Sequence, residues 1–437
     1  MWVRSTDNKS VVGTLAKPTS PITDLGGQFM TESVLRVFTG KRIVGQLLGD
    51  FQLDRLLPTV TAGLLAGVLE VLLVVSYAAL IFSGDLSKFV SVGIGLALFS
   101  TVVMAGIVAL TSSLPGSVSA TQDSPAAILA LITATIAATM PATATSEELL
   151  LTIIATLAFS TALTGVFFLA LGFFNLGSLI RFIPYPVIGG FTAGTGWLFV
   201  QGAVRVMTDM PLTLINLNAL LGGEMWLRWL PGLFFAVVLV IAVKRFRHFL
   251  TMPGLIGAAI GLFYLVVWAS GISVAETDAR GWLIGPFPQG SLWQPLSLSD
   301  PDQVNWWLIF SQVGGVATML LISVISLLLN ASVIEVAVRR DIDFNQELRA
   351  IGLANLVAGL ASGVPGYTGI SATTLGYRVG ANSRLVGLVV AALVGVILFL
   401  GASVLSVLPK AVYPGTPRVY LLWHSPPATR TGSPPVA

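Results

Sequence analysis

Residues Asn345–Leu388 read NQELRAIGLANLVAGLASGVPGYTGISATTLGYRVGANSRLVGL. The apolar stretches at 350–362 and 369–380 are each too short for a bilayer-spanning helix, which takes about 20 residues. Between them, Gly363-Val364-Pro365-Gly366-Tyr367-Thr368-Gly369 cannot continue a helix. Pro lacks the amide that a helix interior needs, and Gly loses the most conformational freedom there. Beyond the break, Ile370-Ser371-Ala372-Thr373-Thr374 opens a short segment rich in hydroxyls. Non-helical backbone at membrane depth is tolerated only where protein or a watery cavity surrounds it. The stretch therefore predicts a broken helix inside a membrane protein.

Composition agrees. The 437 residues are 55% hydrophobic and 10% charged, against about 25% charged in soluble domains. Further apolar spans fall near 59–82, 88–111, 125–141, 149–173, 184–204, 229–243, 252–270, 307–329 and 385–408, which makes about eleven membrane segments with the two short ones. The fold class expected is an all-α polytopic membrane protein. There is no cysteine, so disulfides, thiolate metal sites and iron–sulfur clusters are excluded. His248 lies in a basic loop and His424 in the tail, neither with a partner for a metal or a catalytic triad. No metal, no cofactor and no enzymatic activity is expected. A GxxxxGK[ST] nucleotide-binding loop is also missing.

Charge placement gives a topology. Residues 1–57 are mostly polar and carry seven Lys/Arg, from Arg4 to Arg55, with no signal peptide, so this segment is expected to be cytosolic. The loop after the sixth span then falls inside with Lys244, Arg245 and Arg247, and the loop after the eighth with Arg339 and Arg340. The long loop at about 271–306 falls outside and holds Glu276, Asp278, Asp300 and Asp302 against Arg280 alone. The basic surplus thus follows membrane topology and gives no sign of nucleic-acid binding. An integral multi-pass protein of the plasma (inner) membrane is the expectation.

Two more stretches break the helix pattern: Leu114-Pro115-Gly116, followed by Gln122-Asp123-Ser124-Pro125 at the mouth of the third span, and Ile183 to Phe191 ahead of the fifth. The first lies seven spans before the break at 363–369. Paired broken helices at corresponding places in two repeats form the substrate site of many transporters. A half-helix N-terminus there presents amide donors and a positive dipole end, which suits an anion.

The Asn345–Leu388 stretch resembles the signature region of the SulP family, the sulfate-permease-like anion transporters, with its Asn-Gln-Glu-Leu helix start, Gly-rich break and Ser/Thr-rich half-helix. Pro184 to Gly196 resembles the family's Pro-Val-(Ile/Leu)-x-Gly-Phe-Thr segment. The resemblance covers most of residues 59–410. It implies seven plus seven helices in inverted repeats, a core and a gate domain, and an elevator-like movement. Substrate would sit between the N-termini of the third and tenth helices, flanked by the first and eighth. Leu69-Glu70-Val71, Ser76 to Gly84 and Ser326 to Asn330 are similar to a subgroup whose members append a STAS domain and often a cyclic-nucleotide-binding domain.

Two features depart from the family. Many relatives place a cationic side chain just after the serine of the tenth helix, whereas Ser371 is followed here by Ala372. The family's last helices should follow Leu408-Pro409, yet the chain reads KAVYPGTPRVYLLWHSPPATRTGSPPVA. The domain expectation is therefore a cytosolic segment at 1–57, a transport domain at 58–410 with an incomplete second repeat, and an aberrant polar tail at 411–437 without a STAS domain. A frameshift would produce such a tail, and a genuine variant with a disordered tail is the competing reading.

Candidate substrate contacts are Ser371, Thr373, Thr374, Ser124, Tyr77 and Asn330, each with a plainer alternative. Membrane Ser and Thr often bond their own backbone, Ser124 or Asp123 can be a helix cap, and Tyr77 can be packing. Glu70, mid-helix in the first span, is a functional candidate because burying it costs roughly 2.5–3.5 kcal/mol; it could carry a coupling proton. Glu335 is expected to pair with Arg339 at helical spacing, and Asp341, Asp343 and Glu347 to form a solvated turn and helix start. The function implied is secondary transport of a small inorganic or carboxylate anion by alternating access, in the lipid bilayer, with a homodimer as one assembly open to it. A basic amino acid as substrate, a channel, or an inactive truncated fragment are the alternatives.

Overall fold

Helix α1 (Leu53–Ile81) runs through the first expected span and contains Pro58, its sixth residue. A 3-10 turn at Gly84–Phe89 leads into α2 (Val90–Thr111). Then come strand β1 (Ser119–Thr121), the short helix α3 (Asp123–Thr139) and the long α4 (Ser146–Phe173). Helices α5 (Met225–Arg245) and α6 (Thr251–Ala269) follow. The last series is α7 (Val313–Val338), α8 (Phe344–Leu360), strand β2 (Gly366–Thr368), α9 (Ile370–Arg378) and α10 (Leu385–Leu400). This computed structural model describes residues 53–178, 301–378 and 380–400 throughout and parts of 190–283, plus Pro409. The cytosolic segment expected at 1–57 lies almost wholly outside the described residues, as do most of the fifth span and the tail at 411–437.

Among the described residues, four helical stretches are long and apolar enough to cross a membrane: Leu56–Ile81, Gly84–Thr111, Ser146–Phe173 and Val313–Val338. Their ends follow local chemistry. Thr145 and Glu148 form a reciprocal capping box at the start of α4, with the Glu148 carboxylate accepting from the Thr145 amide at 2.8 Å. Asp343 caps α8 by accepting from the Asn345 and Gln346 amides, both at 3.0 Å.

Three expectations change. The span read at 307–329 is a short helix, Trp306–Ser311, followed by α7, which continues to Val338. It continues because its polar residues find partners: the Asn330 side-chain Nδ2 donates to the Thr368 carbonyl at 3.1 Å. Glu335 accepts from the Ile342 amide at 3.2 Å, as Arg339 adopts a left-handed conformation (φ 54°) that turns the chain away from helical spacing. Glu347 is 3% exposed rather than solvated, because the first turn of α8 packs against the end of α2.

Helices α4 and α8 meet through glycines. A Cβ on Gly165 would lie 2.4 Å from the Leu356 nitrogen, and one on Gly359 2.3 Å from the Ala162 nitrogen. Small residues let membrane helices approach this closely and pack backbone on backbone. Gly359→Leu is expected to lower the thermal denaturation midpoint in detergent, since overpacking costs about 1–3 kcal/mol or more. Gly106→Leu, with nothing within 4 Å of its Cβ, should leave the midpoint unchanged. Equal midpoints for the two variants would refute the close contact.

Candidate substrate site between two half-helices

Strands β1 and β2 pair antiparallel with Ser119 opposite Thr368, Ala120 opposite Tyr367 and Thr121 opposite Gly366. Each strand passes into a half-helix two residues on, β1 into α3 at Asp123 and β2 into α9 at Ile370. Because the pairing is antiparallel, α3 and α9 leave from opposite ends of a three-residue ribbon. The two breaks read from sequence are thus joined at one place.

The ribbon's polar backbone is satisfied from several sides, as a buried break requires. Gly366 donates its amide to the Asn355 side chain at 3.0 Å and accepts from it at 2.8 Å. The Thr161 hydroxyl donates to the Gly363 carbonyl at 2.7 Å, and the Ser100 hydroxyl to the Val364 carbonyl at 2.5 Å. Ser119 and Thr368 hydroxyls lie 2.9 Å apart. The Gly369 amide donates to the Val118 carbonyl at 3.0 Å, and the Val118 amide to the Thr373 hydroxyl at 3.1 Å.

A buried polar cluster sits at the start of α3. Asp123 Oδ1 accepts from the Ser124 amide at 2.8 Å and from the Tyr367 hydroxyl at 3.2 Å. The Tyr367 hydroxyl is also 3.1 Å from Ser124 Oγ, to which Ser326 of α7 donates at 3.2 Å. Elements α3, β2 and α7 therefore contribute to one network. At the other helix start, Gly369 occupies the cap position without a side chain, its carbonyl accepting from the Thr373 amide at 3.3 Å. Ser371, Thr373 and Thr374 are all buried in α9.

The candidate residues separate by these contacts. Ser124 belongs to the network, and Asn330 anchors β2 beside it. The Thr373 hydroxyl holds the β1 side of the ribbon, while that of Thr374 donates to the Ile370 carbonyl of its own helix at 2.7 Å. Ser371 lies in the first turn of α9. Tyr77 is fully buried on α1, seven residues along from Glu70 and so on the same face. Glu70 Oε2 is buried with no hydrogen-bond partner, and α1 packs against both α3 and α9. One residue of the site was missed in the sequence, Tyr367. The available signal was an aromatic with a polar tip between two glycines of a break.

The electrostatics of the two helix starts differ. The start of α3 carries a carboxyl group, and the first turn of α9 carries no charged side chain, Ala372 following Ser371. Among the described residues, no three His, Asp or Glu side chains come together to hold a metal ion.

Known proteins share this architecture. The chain superposes on the transmembrane domain of a cyanobacterial bicarbonate transporter, BicA, with a TM-score of 0.63 at 20% identity, covering 85% of this chain and 90% of that one. The murine Solute Carrier 26 family member A9 anion transporter matches with a TM-score of 0.65 at 17% identity, over 94% and 68% of the two chains. In sequence, the vacuolar basic amino acid transporter VSB1 of Saccharomyces cerevisiae is 25% identical over 275 residues, 61% of this chain and 26% of that protein. Human pendrin is 24% identical over 58% of this chain and 33% of its own. BicA of Picosynechococcus sp. is 26% identical over 65% and 49%. The chain spans less than half the length of each of these three relatives. The sulfate permease family pattern matches residues 56–415, a range that contains both breaks, the ribbon and both half-helices. This chain, an integral membrane protein, belongs to the sulfate permease family.

Proposed function

We propose that the chain is a secondary transporter of a small solute carrying a negative group, held between the starts of α3 and α9 and moved by alternating access. The observation that carries this reading is the β1–β2 ribbon, which fixes two half-helix N-termini around one buried place. Such helix ends favour anions without a cationic side chain. Glu70, buried with an unpartnered oxygen on a helix that touches both half-helices, is the group we assign to proton coupling. On this reading the N-terminus is cytosolic and the chain lies in the plasma (inner) membrane.

A second reading, a basic amino acid as solute, has its own support. Asp123 places a carboxyl at one helix start while the other is free of charge, so an amino acid could present its carboxylate to α9 and its cation to Asp123. One sequence relative is named as a basic amino acid transporter.

Purified protein in liposomes decides between them. Uptake of labelled sulfate, bicarbonate, a dicarboxylate and arginine is measured with and without an imposed pH gradient. Saturable, gradient-driven uptake of one of them is expected, and Glu70→Gln should abolish the response to the gradient. Ohmic current without saturation would overturn the transporter reading, and a Glu70→Gln protein with unchanged pH response would overturn the proton role.

A further inference from the structure

The Asn345-Gln346-Glu347 triplet at the start of α8 makes three different attachments. The Asn345 side-chain oxygen accepts from the Gly177 amide, just past α4, at 2.8 Å. The Gln346 side-chain Nε2 donates to the carbonyl of Thr111, the last residue of α2, at 2.9 Å. Glu347 Oε1 accepts from the Ser112 hydroxyl at 2.8 Å, the Ser113 amide at 2.8 Å and the Ser113 hydroxyl at 2.7 Å.

From the turn before α10, Arg384 reaches the same place. It is 8% exposed and donates to the Ala109 carbonyl at 2.8 Å and the Ser112 carbonyl at 3.1 Å. A guanidinium here also complements the negative end of the α2 dipole. Ser112 is therefore gripped twice, its hydroxyl by a buried carboxylate and its carbonyl by a buried guanidinium. Burying two charged groups is costly unless their hydrogen bonds are well made. Here those bonds go to the last turn of α2, at Ala109, and to Ser112 and Ser113 of the connector that follows it, residues 112–118, instead of from one charge to the other.

That connector has one destination. It runs directly into β1, and further along it bonds the other half of the site. The Tyr377 hydroxyl of α9 donates to the Pro115 carbonyl at 2.5 Å, with Arg340 stacked 5.6 Å from the Tyr377 ring. Val118 bonds Gly369 and Thr373 at the start of α9. A shift of the connector moves β1 against β2, and with it the start of α3 relative to that of α9.

We infer that Glu347 and Arg384 are positioning residues for the substrate site, acting through Ser112 and the 112–118 connector to set the spacing of the two half-helix starts. The inference rests on the proposed substrate site, though neither residue touches a solute there. Deleting a buried acceptor that serves three donors should cost about tenfold or more in apparent affinity.

Two measurements on the full chain test it. Amide hydrogen exchange in detergent should quicken at 112–121 and 366–369 in Glu347→Ala and Arg384→Ala, with α4 and α8 exchanging as in the wild type. Transport of whichever panel solute the wild type takes should show KM raised about tenfold, with a smaller fall in maximal rate. Glu347→Gln keeps an acceptor oxygen and should restore both readouts. Ser113→Ala, which removes one donor, should move both in the same direction as Glu347→Ala, and it serves if Glu347→Ala does not fold.

Unchanged exchange in a folded Glu347→Ala or Ser113→Ala protein would overturn the positioning role. Quickened exchange with KM unaltered would overturn its link to the site. A wild-type protein that takes up no solute would count against the proposed function alone, with exchange still deciding whether the brace exists.

Discussion

Gly366→Ala should separate the two strands and eliminate transport, the largest single effect expected of any substitution in the ribbon. A Cβ at this position would lie 2.0 Å from the Ala120 carbonyl oxygen and 2.7 Å from its carbon, both backbone atoms of the opposing strand. A flexible side chain could step aside, but a backbone carbonyl within a paired ribbon cannot. The strands must move apart, and Gly366 would then lose its two bonds to Asn355. The cost should reach or exceed the upper end of ordinary overpacking, about 3 kcal/mol. The measurements are the thermal midpoint in detergent and saturable uptake in liposomes. Gly314→Ala, at an exposed helix start with nothing within 4 Å of its Cβ, is the matched control and should change neither. A Gly366→Ala protein with wild-type midpoint and uptake would show that the ribbon is not what holds the site.

That fragility also explains what could be read from the sequence. The breaks at 114–116 and 363–369 were legible because Gly and Pro interrupt apolar runs, and a run too short to span has to end at something. The ribbon between them was not legible. Strands of three residues are too short to show alternation, and Ser119-Ala120-Thr121 looks like any polar turn. Asn345-Gln346-Glu347 misled for a related reason: three polar residues at a helix start resemble a solvated cap, and only the packing of α8 against α2 turns Glu347 inward. Thr373 and Thr374 stood out as hydroxyls where an anion site needs donors, yet Thr373 is occupied with the Val118 backbone and Thr374 with its own helix. Local sequence marks where backbone groups go unsatisfied by helix; which side chains satisfy them depends on contacts from residues up to 275 positions away, as between Arg384 and Ala109.

Asp123→Asn should separate the two substrate readings, because it removes the group that could pair with a bound cation while keeping the shape and most of the hydrogen bonds. The amide oxygen of Asn can still accept from the Ser124 backbone and from Tyr367, so both bonds at the α3 start should persist and the protein stay folded. If the solute is a basic amino acid, its cation loses a charge-assisted bond, of about 1.5–3 kcal/mol. KM for arginine should then rise about 10- to 100-fold, the conversion being tenfold per 1.4 kcal/mol. If the solute is an inorganic anion or a dicarboxylate, the same change removes a nearby like charge, and its KM should fall or hold. A rise in KM belongs to the first reading alone, so uptake of the transported solute by this single variant distinguishes them. A KM for arginine unchanged by Asp123→Asn, in a wild-type protein that transports arginine, would remove Asp123 from the cation's path. In that case the carboxyl would serve only to accept from the Ser124 backbone and the Tyr367 hydroxyl at the start of α3.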